Sequence, residues 1–233
     1  MAVDSLTALV SLFQLADGVF PAGGFAHSFG LETYAQRGDV HDGRGVEAFV
    51  RAQLSGSSGP ADAVAAAAAS RRATVCDLAG CVAIDERLDA MRIVPEVRAA
   101  SRQMGRQTAR VAAALDDADT FVHRLFEAIE NGVTPGHHAV VFGAVTGRRG
   151  AAPERAAAAL LYSTASLLVN SALRLVRLGQ LDGQRILSGL TPLIVELARR
   201  AAERDPDEMW SFAPGLELAA LAHADLEMRL FRS

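Results

Sequence analysis

Apolar residues recur at helical spacing along this chain almost from end to end. Leu6, Leu9, Val10 and Phe13 share one face, with Asp4 or Ser5 placed to cap the first turn. Asp17 to Gly24, which contains Pro21, Gly23 and Gly24, reads as an ordered turn ahead of a second helix. Asp42 is placed to cap a third, running to about Gln53. The run Ser55-Gly56-Ser57-Ser58-Gly59-Pro60 is the most linker-like stretch, set within a helical array. Ala61 to Ala69 is an alanine tract of high helix propensity whose small side chains permit close packing. Pro95 to Leu115 is long and periodic, and Thr120 to Asn131 stops at Asn131-Gly132. Thr134-Pro135 has the chemistry of a helix start. A long helix is predicted from Pro153 to about Leu178, then a turn at Gly179–Gly183. The next runs towards Arg204 with a kink at Pro192. Ala213-Pro214-Gly215 introduces the last helix. No alternating strand run or two-residue hairpin signal interrupts this pattern. The fold predicted is all-α, a single-domain bundle of about ten helices over residues 1–233.

Composition narrows the chemistry. Half of the 233 residues are hydrophobic, 21% are charged and the mean hydropathy is +0.18, which suits a large packed core. A net charge of −4 gives no electrostatic reason to expect nucleic acid. All 23 basic residues are arginines. Without lysine the chain has no P-loop phosphate contact, no Schiff base and no kinase lysine. Cys76 and Cys81 stand about 140° apart on a helix, a poor chelating geometry, and reduced thiols in the cytoplasm are the expectation. The first five residues lack a signal-type pattern. The uncharged stretch from Arg155 to Arg174 is broken by Ser163, Thr164, Ser166, Asn170 and Ser171, so it predicts a core helix and no membrane span.

Searches for a catalytic constellation find little. Gly43-x-Gly45-x-x-Ala48 matches a dinucleotide fingerprint, but no strand precedes it. Ala26-x-Ser28-x-Gly30 is a thin version of a nucleophile elbow and leaves one alternative open, an α-helical hydrolase using Ser28. The six histidines show no chelating spacing.

Four stretches together resemble the UreF family of urease accessory proteins. They are Leu12–Asp17 continuing through Phe20–Glu32; Gly136-His137-His138 with Val141-Phe142-Gly143; Leu178–Leu187; and the terminal Arg229-Leu230-Phe231-Arg232-Ser233. Ala99–Gly105 adds a weaker match, and the order holds from about residue 6 to the end.

The resemblance implies an all-α homodimer that is not an enzyme and has no cofactor of its own. It implies a cytoplasmic chaperone and GTPase regulator for nickel insertion. Such a protein joins a second accessory protein (UreD, also called UreH) and the GTPase UreG, and the complex delivers nickel to the urease apoprotein. Before the terminal motif, Ala224 follows His223 where the family has glutamate, Glu227 stands at a tyrosine position, and Arg177 replaces a proline. Candidate partner-binding positions carried by the motifs are Pro21, Gly23, Phe25, Ser28 and Glu32 near the N-terminus. Gln180 and Gln184 belong to the third stretch; His223, Arg229, Leu230, Phe231 and Arg232 lie in the C-terminal segment 223–233, a candidate mobile docking element. Capping is the simpler role for the 180–184 turn, and Phe25 reads first as a core residue.

Overall fold

A computed structural model describes residues 5–233; Asp4, one of the two predicted caps, lies outside them. Eleven α-helical segments follow one another, with no strand among the described residues. They are α1 (Ser5–Ala16), α2 (Leu31–Arg37), α3 (Gly43–Gln53), α4 (Val64–Thr74), α5 (Leu78–Met91) and α6 (Pro95–Leu115). Then come α7 (Thr120–Glu130), α8 (His138–Arg148), α9 (Pro153–Leu175), α10 (Gln180–Glu203) and α11 (Pro214–Ala222). The first surprise lies between α3 and α4. The predicted linker is a π-helix, Leu54–Ala63, that joins the two into one continuous rod, leaving ten helices among the described residues.

The sequence explains how that irregular stretch is held. Pro60 has no N–H to offer the helix ladder. The Gly56 oxygen accepts from the backbone N–H of Phe212 at 2.8 Å. A Cβ at Gly56 would stand 2.9 Å from the Phe212 oxygen, so glycine permits the crossing. Burial stabilises the rest, with Leu54, Ser58, Gly59, Pro60 and Ala61 all inside. Composition alone reads these residues as a linker because the partner strand of chain is some 150 positions away in sequence.

α4 forms the centre, packed against α8, α5 and α9; α10 lies along α9, α6 covers α8, and α11 sits on α2. α4 and α8 are buried along nearly their whole lengths. Their contact is made by absence of side chain. A Cβ on Gly143 would lie 2.1 Å from the oxygen of Ala66, and one on Gly147 would lie 2.5 Å from that of Ser70. Glycines one turn apart on α8 therefore face alanine and serine one turn apart on α4, and the backbones meet. The alanine tract is consumed inside the chain by this contact.

Several predicted boundaries shift for tertiary reasons. Thr134-Pro135 does not open α8. The Thr134 hydroxyl donates to Asp85 Oδ2 at 2.6 Å, Gly136 N–H donates to the same oxygen at 2.5 Å, and His137 N–H donates to Oδ1 at 2.9 Å. This carboxylate from α5 gathers the turn and starts the helix three residues later. Burial pushes the Asp85 carboxyl up, against the pull of those three donors. α5 itself, capped by Asp77 through Gly80 N–H at 2.8 Å, buries Cys81, Ile84, Asp85 and Leu88 on one face and is an addition to the expected elements. α10 runs unbroken through Pro192. The last helix ends at Ala222, and beyond a short turn, His223–Asp225, the chain is not helical. α9 is long and apolar enough to cross a membrane by length and composition, yet it packs between α10 and α4, where its apolar face is covered.

Replacing Gly143 with valine should cost at least about 3 kcal/mol, the upper range of overpacking, because the obstructing atoms are backbone. Urea unfolding of the variant against the parent measures it.

Candidate functional site

The N-terminal signature builds a tight corner in front of α2. Gly23 has φ of 87°, a single turn of 3₁₀ helix follows at Gly24–Ala26, and His27 is extended. Phe29 and Gly30 then both take left-handed conformations, φ 52° and 88°. Gly30 is needed twice over, since a Cβ there would also meet the α11 backbone at Ala220 N, 3.1 Å away. The corner sends Leu31 and Glu32 directly into the interior at the first turn of α2.

Glu32 is a buried carboxylate, and it is the hub of the site. Oε1 accepts the Leu230 N–H at 2.7 Å, and Oε2 accepts the Phe231 N–H at 3.1 Å. His223 Nε2 lies 3.0 Å from Oε2, and its Nδ1 lies 3.0 Å from Glu96 Oε2 on α6. Arg229 closes the ring by donating to Glu96 Oε1 at 2.8 Å. Burial pushes the Glu32 carboxyl up, but the donors from Leu230, His223 and Phe231 outweigh it and hold the group below the usual carboxylate range. The next residues extend the seam. Arg232 N–H donates to the Ala26 carbonyl at 2.8 Å, and the Ser233 oxygen accepts from Ser28 N–H (2.5 Å), Phe29 N–H (3.0 Å) and Ser28 Oγ (3.0 Å). Arg174 of α9 stacks over the Phe231 ring, 4.5 Å from its centroid, and donates to the Phe25 carbonyl at 3.3 Å.

Two stretches about two hundred residues apart are thereby sewn into one surface. Ser28, Glu32, His223 and Phe231 are its buried seam; Phe25, Arg229, Leu230 and Arg232 are exposed along it. Phe25 is thus not a core residue, because the strained corner turns its side chain outward, leaving it 76% exposed. Pro21 is exposed in the preceding turn and Gly23 supplies that turn's left-handed backbone. Gln180 and Gln184 are elsewhere, exposed on the first turns of α10, where Asp182 accepts the Gly179 N–H and does the capping. Ser28 cannot serve as a nucleophile in this arrangement. Its hydroxyl is fully buried and donates to Ser233, and the neighbouring His27 is turned to the Ser233 hydroxyl at 2.8 Å. Within the segment 223–233, the candidate mobile docking element, His223 and Phe231 are buried in this chain and only Leu230 of the apolar pair is outward.

The spacing of residues could not reveal Glu96, which joins the hub from a helix that merely runs past it. Beside the site is a cleft of about 120 Å³ whose walls include Phe29, Val97, Met104, Leu167 and Ala220. On its far wall Arg92 pairs with Asp62 of the π-helix. Burial pushes the Asp62 carboxyl up against that pairing, and burial together with Arg92 pushes His138 down to about 4. His137 is likewise pushed down to about 4, chiefly by burial, so a neutral ring bridges Ser101 and Asp89. Among the described residues no three His, Cys, Asp or Glu side chains gather as a metal-ligand set.

The sequence has counterparts among known proteins. A family model named UreF matches residues 40–191. Relatives match over nearly the whole chain. Urease accessory protein UreF of Bacillus sp. (strain TB-90) is 33% identical over 229 residues, covering 97% of this chain and 99% of its own. That of Rhizobium leguminosarum bv. viciae is 34% identical over 229 residues, covering 98% and 97%. The chain belongs to the UreF family. It is a urease accessory protein with a part in urease maturation, and not itself an enzyme. In this UreF-family chain the first and last sequence motifs are two sides of one seam.

Replacing Glu32 with alanine should destabilise the fold by about 3 kcal/mol, since it strands His223 and two backbone donors. In the parent, the stabilisation from Glu32 is present above the ordinary carboxylate range and lost as the pH falls through its lowered value. Urea titrations at about pH 7 and about pH 3.5 should show the gap between parent and variant closing in acid.

Proposed function

We propose that this protein is a cytoplasmic scaffold in nickel insertion, joining the second accessory protein UreD/UreH to the GTPase UreG and regulating its nucleotide cycle. Nickel is the cargo of that complex, delivered to the urease apoprotein, and this chain holds it only weakly. The reading is supported above all by the seam. A buried polar hub fixes the backbone on both sides, while Phe25 on one side and Met228 and Leu230 on the other remain exposed. Rigidly presented aromatic and apolar groups beside arginines, here Arg229 and Arg232, have the character of binding hot spots. A scaffold also needs no catalytic group of its own, and the lysine-free composition offers no phosphate-binding loop.

The test is co-purification from cells carrying the urease operon. Phe25→Asp and Leu230→Asp, both at exposed positions, should leave the thermal melt within a few degrees of the parent and cut recovery of the partners and of active urease about tenfold or more. Normal recruitment by both variants would sink this surface as the docking site.

We propose further that the protein is a homodimer. The family resemblance and the outward apolar residues Leu6, Val10 and Phe13 of α1 support this, whereas the alanine tracts do not, being buried within the chain. Light scattering should give twice the 24.5 kDa chain mass; a strict monomer at tens of micromolar would overturn it.

A further inference from the structure

The cleft of about 120 Å³ opens where five elements meet, with Asp62 of the π-helix, Met104 of α6, His138 of α8, Leu167 of α9 and Ala220 of α11 in its walls. Its lining is largely apolar, and several of its polar groups are already engaged. Asp62 pairs with Arg92, the Ser101 hydroxyl meets His137 at 3.0 Å, and the Thr164 hydroxyl donates to the Leu160 carbonyl at 2.9 Å. His138 is different. Its ring packs beside Phe142, the centroids 5.8 Å apart, yet neither ring nitrogen has a hydrogen-bond partner among the described residues, and neither is sealed from open space. An imidazole edge left open in an apolar wall calls for a ligand that is mostly hydrocarbon with one hydrogen-bonding group. We propose that this cleft is a binding site for a small neutral aromatic molecule of the phenol class, its hydroxyl on His138 and its ring among Met104, Leu160 and Leu167.

Size sets the first limit. An apolar cavity of roughly this volume holds a single six-membered ring, so a nucleotide or a peptide has no room. Charge sets the second. Burial and the Arg92 guanidinium hold the His138 ring neutral, pushed down to about 4, and the same two causes oppose a ligand cation beside it. An anion would be buried between walls that already include the Asp62 and Glu217 carboxylates. A neutral imidazole offers one N–H and one lone pair, and a hydroxyl answers either of them by accepting or donating.

The walls also favour an aromatic ring over a saturated one. Met91 and Met104 both line the cleft, and thioether sulfur makes favourable contacts at ring edges while adapting its shape to substituents. An occupant touches α6, α8 and α9 on one side and α11 on the other, so it ties the helix that leads into His223 to the core of the bundle.

The test uses the full chain, with phenol, benzene and benzoate as probes and NMR of the side chains as readout. Phenol should bind with a Kd of about 1 mM or tighter, in keeping with so small a ligand, and should shift the His138 ring and the methyl groups of Met104 and Leu167. Benzene, which lacks the hydroxyl, should bind about tenfold more weakly, and benzoate more weakly than phenol by at least as much. In His138→Phe, which keeps a ring in place and has no hydrogen bond of the fold to lose, phenol should lose its advantage over benzene. Should that variant fail to fold, the probe series on the parent decides alone. No shift at the cleft residues with phenol at about 10 mM, equal affinity for phenol and benzene, or tighter binding of benzoate than of phenol would each overturn the proposal. Neither Phe25 nor Leu230 lines the cleft, so the result is independent of the docking surface.

Discussion

The contact between α4 and α8 sets the dimensions of everything around it. Two helices meet with Gly143 and Gly147 against Ala66 and Ser70, closer than side chains on both would allow. Close approach of two backbones multiplies weak dispersion contacts and leaves no room for water. It also draws the flanking helices inward, because α5, α6 and α9 must cover the same short axis. α6 repeats the device, with Gly105 so near the Gly136 carbonyl that a Cβ would stand 2.0 Å from it. The turn feeding α8 is therefore clamped on one side by α6 and on the other by the Asp85 carboxylate.

The periphery is held by a different physics. At the seam between α2 and the C-terminal segment there is little apolar burial beyond Phe231, and the backbone donors of an extended chain end on one carboxylate. Such a polar joint is directional. It specifies where each backbone atom sits, but its strength depends on protonation in a way that the glycine–alanine core does not. The two kinds of joint suit two tasks. The core keeps the bundle invariant, and the seam presents a surface whose backing responds to its chemical surroundings.

The π-helix connects these regions. Its widened turns place Ser58 and Asp62 towards the cleft, where Arg92 and His138 also face inward. The segment 210–212 then crosses it, returning the chain to α11 and so to α2. An element that resembles a linker by composition thus ties the central rod to the segment 210–212 through the Gly56 and Pro60 carbonyls.

Helical periodicity and proline and glycine punctuation determined the all-α class and most helix positions, since these are local properties. Four motifs in order carried the family resemblance, and the family model matches residues 40–191. What the sequence could not decide is where local preference competes with a distant partner. Thr134 looks like a helix cap and bonds to Asp85 instead; Phe25 looks like core and is exposed in the short turn that follows the left-handed Gly23. Ser55 to Pro60 looks flexible until Phe212 supplies a donor. Glu96 has no motif around it, and it belongs to the hub only because α6 passes within 3.0 Å of His223. Hydrogen bonds and exclusion volumes act through space, over separations of fifty to two hundred residues here, and tertiary packing alone decided which of them would form.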